Sequence, residues 1–219
     1  MIAALTDKNK YKKFLKDFKF AFYCLTHPLD GYWDLTHEKR GNILVATVIL
    51  ILVLIARIMF LGVTSFLFVQ VNWNRINIFT YIASVIFPLA LFVVGNWALT
   101  TLFDGKGRLL QIYTASCYSL LPYALITIPL SIVSNVLSDD FSEVVGVIYI
   151  LSMVWSGILF VCSNMEIHEF SMAKALVFII ATVVAMAIMI FILLLFFSMI
   201  SQGVSYFIAM YKEIMFRIG

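Results

Sequence analysis

The chain has 219 residues, 63% of them hydrophobic and 12% charged, with a mean hydropathy of +1.03. A soluble domain carries about 25% charged residues, so there is too little charge here to cover one core. That excludes an ordinary cytosolic domain, a disordered chain and a secreted disulfide scaffold, and leaves an all-α polytopic membrane protein. The net charge is only +3, yet residues 1–42 hold eight of the fifteen Lys and Arg. Cys24, Cys117 and Cys162 share no metal-ligand or redox spacing.

The first element is a basic amphipathic segment, residues 1–42. In KNKYKKFLKDFKFAFYCL, Tyr11, Phe14, Leu15, Phe18, Phe22 and Leu25 recur at helical spacing, and most lysines fall elsewhere on the helix. This is the pattern of a helix lying in the headgroup plane. Lys12, Lys13, Lys16 and Lys19 are its predicted contacts with the anionic lipid leaflet, each worth about 1 kcal/mol near such a surface. A docking helix for a partner protein is the sharper alternative. The first long apolar run begins near residue 43 and is too long for a signal-peptide core.

Five apolar runs follow, at approximately 43–69, 77–103, 109–137, 144–165 and 174–202. Each is long enough to cross a hydrocarbon core of about 30 Å. Continuous blocks such as VATVILILVLIA exclude the alternating strands of a β-barrel. Residues 203–219 read as a frayed or interfacial tail. With the N-terminus inside, the cytoplasmic side carries eleven Lys and Arg and the outer side three. The predicted topology is therefore five spans, N-terminus cytoplasmic and C-terminus outside.

Polar groups within spans are costly and tend to face the bundle interior. Arg57 is the one fully charged residue inside a span, about 22 Å from its start at 1.5 Å per residue. It can reach headgroups or water through local thinning, pair with the acidic SDDFSE turn or with carbonyls freed at Pro129, or form a substrate or ion site. Span two contributes Pro88 and Asn96, both expected to face span three. The DGKG connection contributes Asp104, Gly105 and Gly107, with glycines suited to positive φ; it lacks the strand and longer motif of a phosphate loop. Span three holds Thr114, Ser116, Tyr118, Ser119, Tyr123, Thr127, Ser131, Ser134 and Asn135, with Pro122 and Pro129 as kink sites. It is predicted to be the central helix.

One face also gathers His27, Asp30, Asp34, His37, Glu166, His168 and Glu169. MEIHEF lacks the HExxH spacing that puts two metal ligands on one helical face, so no metal site is assigned. No catalytic residue and no cofactor are assigned either. The candidate polar residues are Arg57, Asn96, Asp104, Gly105, Gly107, Tyr118, Pro122, Tyr123, Asn135 and His168.

The stretch NWALTTLFDGKGRLLQIYTASCYSLLPYALITIPLSIVSNVL resembles the signature of the Yip-one domain family, the Ypt-interacting-protein-like membrane proteins. An Asn-Trp span end running into DGKG, a Tyr-Ser-Leu-Leu-Pro-Tyr segment and a His-containing turn before span five carry the likeness. HPLDGYWDLTHEKRG resembles the corresponding segment of bacterial members, and the likeness spans about residues 25–215. It implies a five-helix membrane fold with a cytoplasmic N-terminus. Eukaryotic members are associated with Rab-type GTPases, and bacterial relatives often accompany carbohydrate ABC-transporter genes. The expected function is a non-enzymatic accessory, scaffold or partner-binding subunit of the cell membrane, with a carbohydrate ABC transporter as one candidate neighbour. The alternative is a small transporter or channel through span three. Membrane lipids and a membrane protein are the expected partners; no nucleic acid is.

Reporter fusions test the topology. A reporter at Gly219 should be active only in its extracytoplasmic form, and activity in the cytoplasm would mean an even number of spans.

Overall fold

The computed structural model describes residues 8–38, 40–65, 68, 77–103 and 105–218, except for the side chains of residues 8–12, 139 and 218. Among the described residues the chain is helical and has no strand. The elements are α1 (Lys8–Thr26), α2 (Pro28–His37), α3 (Ile43–Gly62), α4 (Ile78–Leu102), α5 (Leu109–Ser119), α6 (Leu121–Val133), α7 (Ser142–His168) and α8 (Met172–Ile218). With α5 and α6 counted together, five helical segments are long and apolar enough to cross a membrane.

Local chemistry explains the boundaries. The Asn42 side chain caps α3 by accepting from Leu44 N at 2.9 Å, and Asn77 caps α4 by accepting from Phe79 N at 3.0 Å. These bonds satisfy amide groups that a helix start leaves without partners. Span three breaks at Leu120 because Pro122, in the first turn of α6, has no N–H to continue the ladder. The amide of Tyr123 donates to Ser156 Oγ of α7 instead, at 3.2 Å. Two expected ends differ. Span one stops at Gly62 rather than continuing as helix to residue 69. The helix of span five continues past 202, through the residues expected to fray, and runs unbroken to Ile218, with no Pro to end it.

The α5–α6 pair is the centre of the bundle, as expected. Buried residues make up 61% of its most apolar window, against at most 28% for any other span. Helices α3, α4 and α7 pack around it, and α8 packs on α4 and α7. The buried Thr114, Ser116, Ser119, Thr127, Ser131 and Ser134 lie in this pair, enclosed by the other spans.

Helices α1 and α2 cross one end of the bundle, the end that also carries the DGKG loop. The α1 stripe is only partly the expected one. Ala21 and Cys24 are its buried centre, with Phe14, Phe18 and Leu25 half-buried beside them. Leu15 and Phe22 remain exposed. Asp17 accepts from the Asn42 side chain at 2.7 Å, so α1 is docked on its own bundle. Lys13, Lys16 and Lys19 face outward, and the side chains of Tyr11 and Lys12 lie outside the described residues. Burial, with a smaller contribution from the Asp34 carboxylate, pushes the Cys24 thiol up to about 12. It is therefore a neutral packing group.

Gly31 sets the distance between α1 and α2: a Cβ there would lie 2.7 Å from Cys24 Cα. Gly31→Ala should lower thermal stability in detergent by about 1–3 kcal/mol through overpacking. Gly146→Ala in α7, where no atom lies within 4 Å of the added carbon, should be neutral or slightly stabilising. Equal melting shifts would contradict this reading of the α1–α2 contact.

Candidate functional site

A buried hydrogen-bond network joins three spans at the DGKG end. His168 Nε2 lies 2.8 Å from Asn96 Oδ1, and the Gly107 amide donates to His168 Nδ1 at 3.3 Å. Since Nδ1 accepts, Nε2 carries the proton, so the ring is the neutral Nε2–H tautomer. Asn96 Nδ2 then donates to Asn164 Oδ1 at 3.1 Å and to Thr182 Oγ1 at 3.2 Å. The chain continues into backbone: Asn164 Nδ2 donates to Phe160 O at 2.9 Å, and Thr182 Oγ1 to Phe178 O at 2.7 Å. Asn96, Asn164, His168 and Thr182 are all buried. Asn96 and His168 are both candidate residues from the sequence, but Asn96 faces spans four and five rather than the expected span three.

The glycines of the loop serve this network by close approach. Neither has positive φ, contrary to the expectation. A Cβ at Gly107 would lie 2.5 Å from His168 Cε1 and 2.6 Å from Ile167 Cγ2. A Cβ at Gly105 would lie 2.6 Å from Thr100 Cβ. The loop therefore lies directly on the His168 ring, which only glycine permits. Asp104 lies outside the described residues.

An ionic layer covers the ring. The Lys106 ammonium pairs with Glu169 at 2.5 Å, and His37 Nε2 lies 3.5 Å from the same carboxylate. Hydrogen bonding from Lys106 holds the Glu169 carboxyl below the usual range. Its contribution to stability is thus present above the unfolded value and fades as pH falls through the folded one. Glu169 has the left-handed φ of 53° that ends α7. Lys174 Nζ sits 4.1 Å over the Phe170 ring, which stacks on His168 at 5.3 Å.

Tyr118 belongs to a second buried cluster. Its hydroxyl lies 3.4 Å from the Asn42 amide and 3.5 Å from the Asn42 carbonyl, tying α5 to the capped start of α3. Tyr32 of α2 pairs with Ser119 at 3.0 Å, and burial pushes the Tyr32 phenol up. Asn135 works at the opposite end, donating to Val63 O at 2.7 Å. These roles are structural. Asn42, Tyr32, Asn164 and Thr182 were missed by sequence reasoning, because their partners are 68 to 87 residues away.

Arg57 lies at mid-depth, where its guanidinium donates to the Tyr149 hydroxyl of α7 at 3.4 Å. Among the described residues no carboxylate lies within 4.0 Å of it, and Pro129 is exposed. The link between spans one and four therefore runs through a phenol. The expected pairing with the acidic turn falls partly on the Asp139 side chain, outside the described residues. Arg57 borders a cavity of about 600 Å³ together with Ser84, Pro88, Phe92, Tyr123 and Ser156. The Tyr123 hydroxyl is buried there without a hydrogen-bond partner.

The histidines do not form a metal centre among the described residues: no three His, Cys, Asp or Glu side chains converge to hold an ion. His27 stacks on Tyr23 at 4.8 Å and His37 on Trp33 at 4.5 Å.

Replacing Asn96 by Leu would strand the buried His168 N–H and the Asn164 and Thr182 acceptors. The loss should be about 1–3 kcal/mol, measured by unfolding in mixed micelles. Gly107→Ala should also destabilise, while Asn96→Asp should recover less than half of the Leu loss. ¹⁵N spectra at neutral pH should show His168 as the Nε2–H tautomer; an Nδ1–H or charged ring would contradict the hydrogen-bond assignment.

Comparison with known proteins adds the family. The family model described as Yip1 domain matches residues 22–209. No curated protein and no solved structure matches the chain. The matched region takes in α2 to α7, the DGKG loop, the His168 network and most of α8. The chain is a multi-pass membrane protein and belongs to the Yip1 domain family.

Proposed function

We propose that this protein is a non-enzymatic accessory or scaffold subunit that binds another membrane protein through α8. The observation that carries the reading is the length and bareness of that helix. It has 47 residues, about 70 Å at 1.5 Å per residue, more than twice a hydrocarbon core of about 30 Å. Only its first half is held by the bundle, through Ala175, Thr182 and Met186. Every residue from Ile190 to Arg217 is exposed, including Phe191, Phe196, Phe197, Tyr206 and Phe207. So long an apolar surface cannot all be covered by one lipid layer, and a protein partner is the cover that suits it.

In this reading the protein sits in the cell membrane with α1 and the DGKG loop cytoplasmic and the C-terminus outside. Lys13, Lys16 and Lys19 face the anionic leaflet. The partner is a transporter, the class to which the bacterial likeness points. The second reading, a small transporter or channel around span three, is favoured by the mid-depth cavity. The packed polar network around Asn96 favours the scaffold.

The test is a gentle-detergent pull-down of the N-terminally tagged chain beside a version ending at Met189. The full chain should recover a membrane protein in near-stoichiometric amount, and the shortened chain, folded by its melting curve, should lose it. Recovery of the full chain alone, or equal recovery by both, would contradict the proposal. Solute flux into proteoliposomes holding the protein alone would favour the channel.

A further inference from the structure

The cavity beside Arg57 has the form of a lipid site. Its depth follows from helical rise. Arg57 is fourteen residues from the first residue of α3, and Pro88 fourteen from the last of α4. Both therefore lie about 21 Å from the DGKG end. In a core of about 30 Å that leaves roughly 10 Å to the far boundary, within reach of a headgroup drawn inward. The rim residues Ser84, Pro88, Met153, Gly157 and Val183 are exposed at this depth. The opening is therefore sideways, toward the surrounding lipid. Phe92 and Phe160, 4.5 Å apart between ring centroids, close it toward the Asn96 network.

Two groups in the cavity lack what they need. Arg57 is a cation whose described partner is a neutral phenol at 3.4 Å. Tyr123 is only 7% exposed, and its hydroxyl makes no well-formed hydrogen bond, with only the Tyr149 phenol and the Arg57 guanidinium as polar neighbours. A buried donor without an acceptor is costly, and a cation in hydrocarbon more so. An anionic group with several acceptor oxygens would satisfy both at once. The apolar walls would take a hydrocarbon chain attached to that group.

We propose that this cavity binds an acidic membrane lipid. Its headgroup accepts from the Arg57 guanidinium and from the Tyr123 and Tyr149 hydroxyls, and an acyl chain lies along Pro88, Met153 and Met186. The site is separate from the α8 surface, and the purified protein alone suffices to test it.

The experiment titrates the full chain, in neutral detergent, with dioleoylphosphatidylglycerol, dioleoylphosphatidylcholine and inorganic phosphate. Melting temperature and intact-complex mass spectra are read for each. Phosphatidylglycerol should raise the melting temperature and appear as a retained adduct, at least tenfold tighter than phosphatidylcholine. With Lys13, Lys16 and Lys19 changed to Gln to remove the surface attraction of α1, Arg57→Gln should remove the remaining preference, and Tyr123→Phe should weaken binding at least threefold. Changing Lys13, Lys16 and Lys19 together to Gln should leave the adduct in place. Equal binding of the two lipids would overturn the proposal. So would full stabilisation by inorganic phosphate, which would mark a free-anion site, or loss of the adduct with the lysines. If Arg57→Gln does not fold, Tyr123→Phe decides: unchanged affinity overturns the site.

Discussion

The hydrogen bond between Asn96 and His168 is the constraint on which the bundle depends. In lipid there is no hydrophobic gain from pressing one apolar helix on another, so register comes from close packing and buried polar links. Here one amide side chain joins α4 to both α7 and α8. The ring that meets it also receives the Gly107 amide. The loop, the end of α7 and the start of α8 are thereby fixed to one another. Each further bond is made only if the preceding group keeps its orientation, which gives such networks their cooperativity.

Polar groups inside the bundle divide into two kinds. At the DGKG end and around Tyr118 they are satisfied by one another, and their work is positional. Farther along the spans, Arg57 borders a cavity with the neutral Tyr149 hydroxyl as its described partner, and the Tyr123 hydroxyl there makes no well-formed hydrogen bond. The saturated network and the cavity groups lie at different depths, which separates scaffold from site, although the buried Thr64 and Thr127 hydroxyls are also without partners. The exposed length of α8 is a third, distinct surface, one of shape and hydrophobicity rather than of polar chemistry.

Much of this architecture was legible in the sequence. Run lengths give the five spans because the bilayer imposes a minimum length. The break in span three follows from the proline's missing amide hydrogen. The candidate residues Asn96, Gly105, Gly107 and His168 were visible as polar or flexible positions in apolar surroundings. Their convergence was not, since helical spacing says which residues share a face but not which face meets which neighbour. Asn164 and Thr182 looked like ordinary span residues until Asn96 was placed beside them. The glycines were read for positive φ, whereas the structure uses their missing Cβ. The apolar run gives the membrane-crossing part of α8 near 174–202, whereas the helix itself continues to Ile218.

Asn96 and His168 act as one coupled unit that holds the spans in register. A double-mutant cycle in mixed micelles, with Asn96→Leu, His168→Phe and the pair, measures that coupling directly. An interaction of about 1 kcal/mol or more is expected, the double variant losing clearly less than the two single losses combined. Losses that add to within about 0.3–0.5 kcal/mol would contradict it.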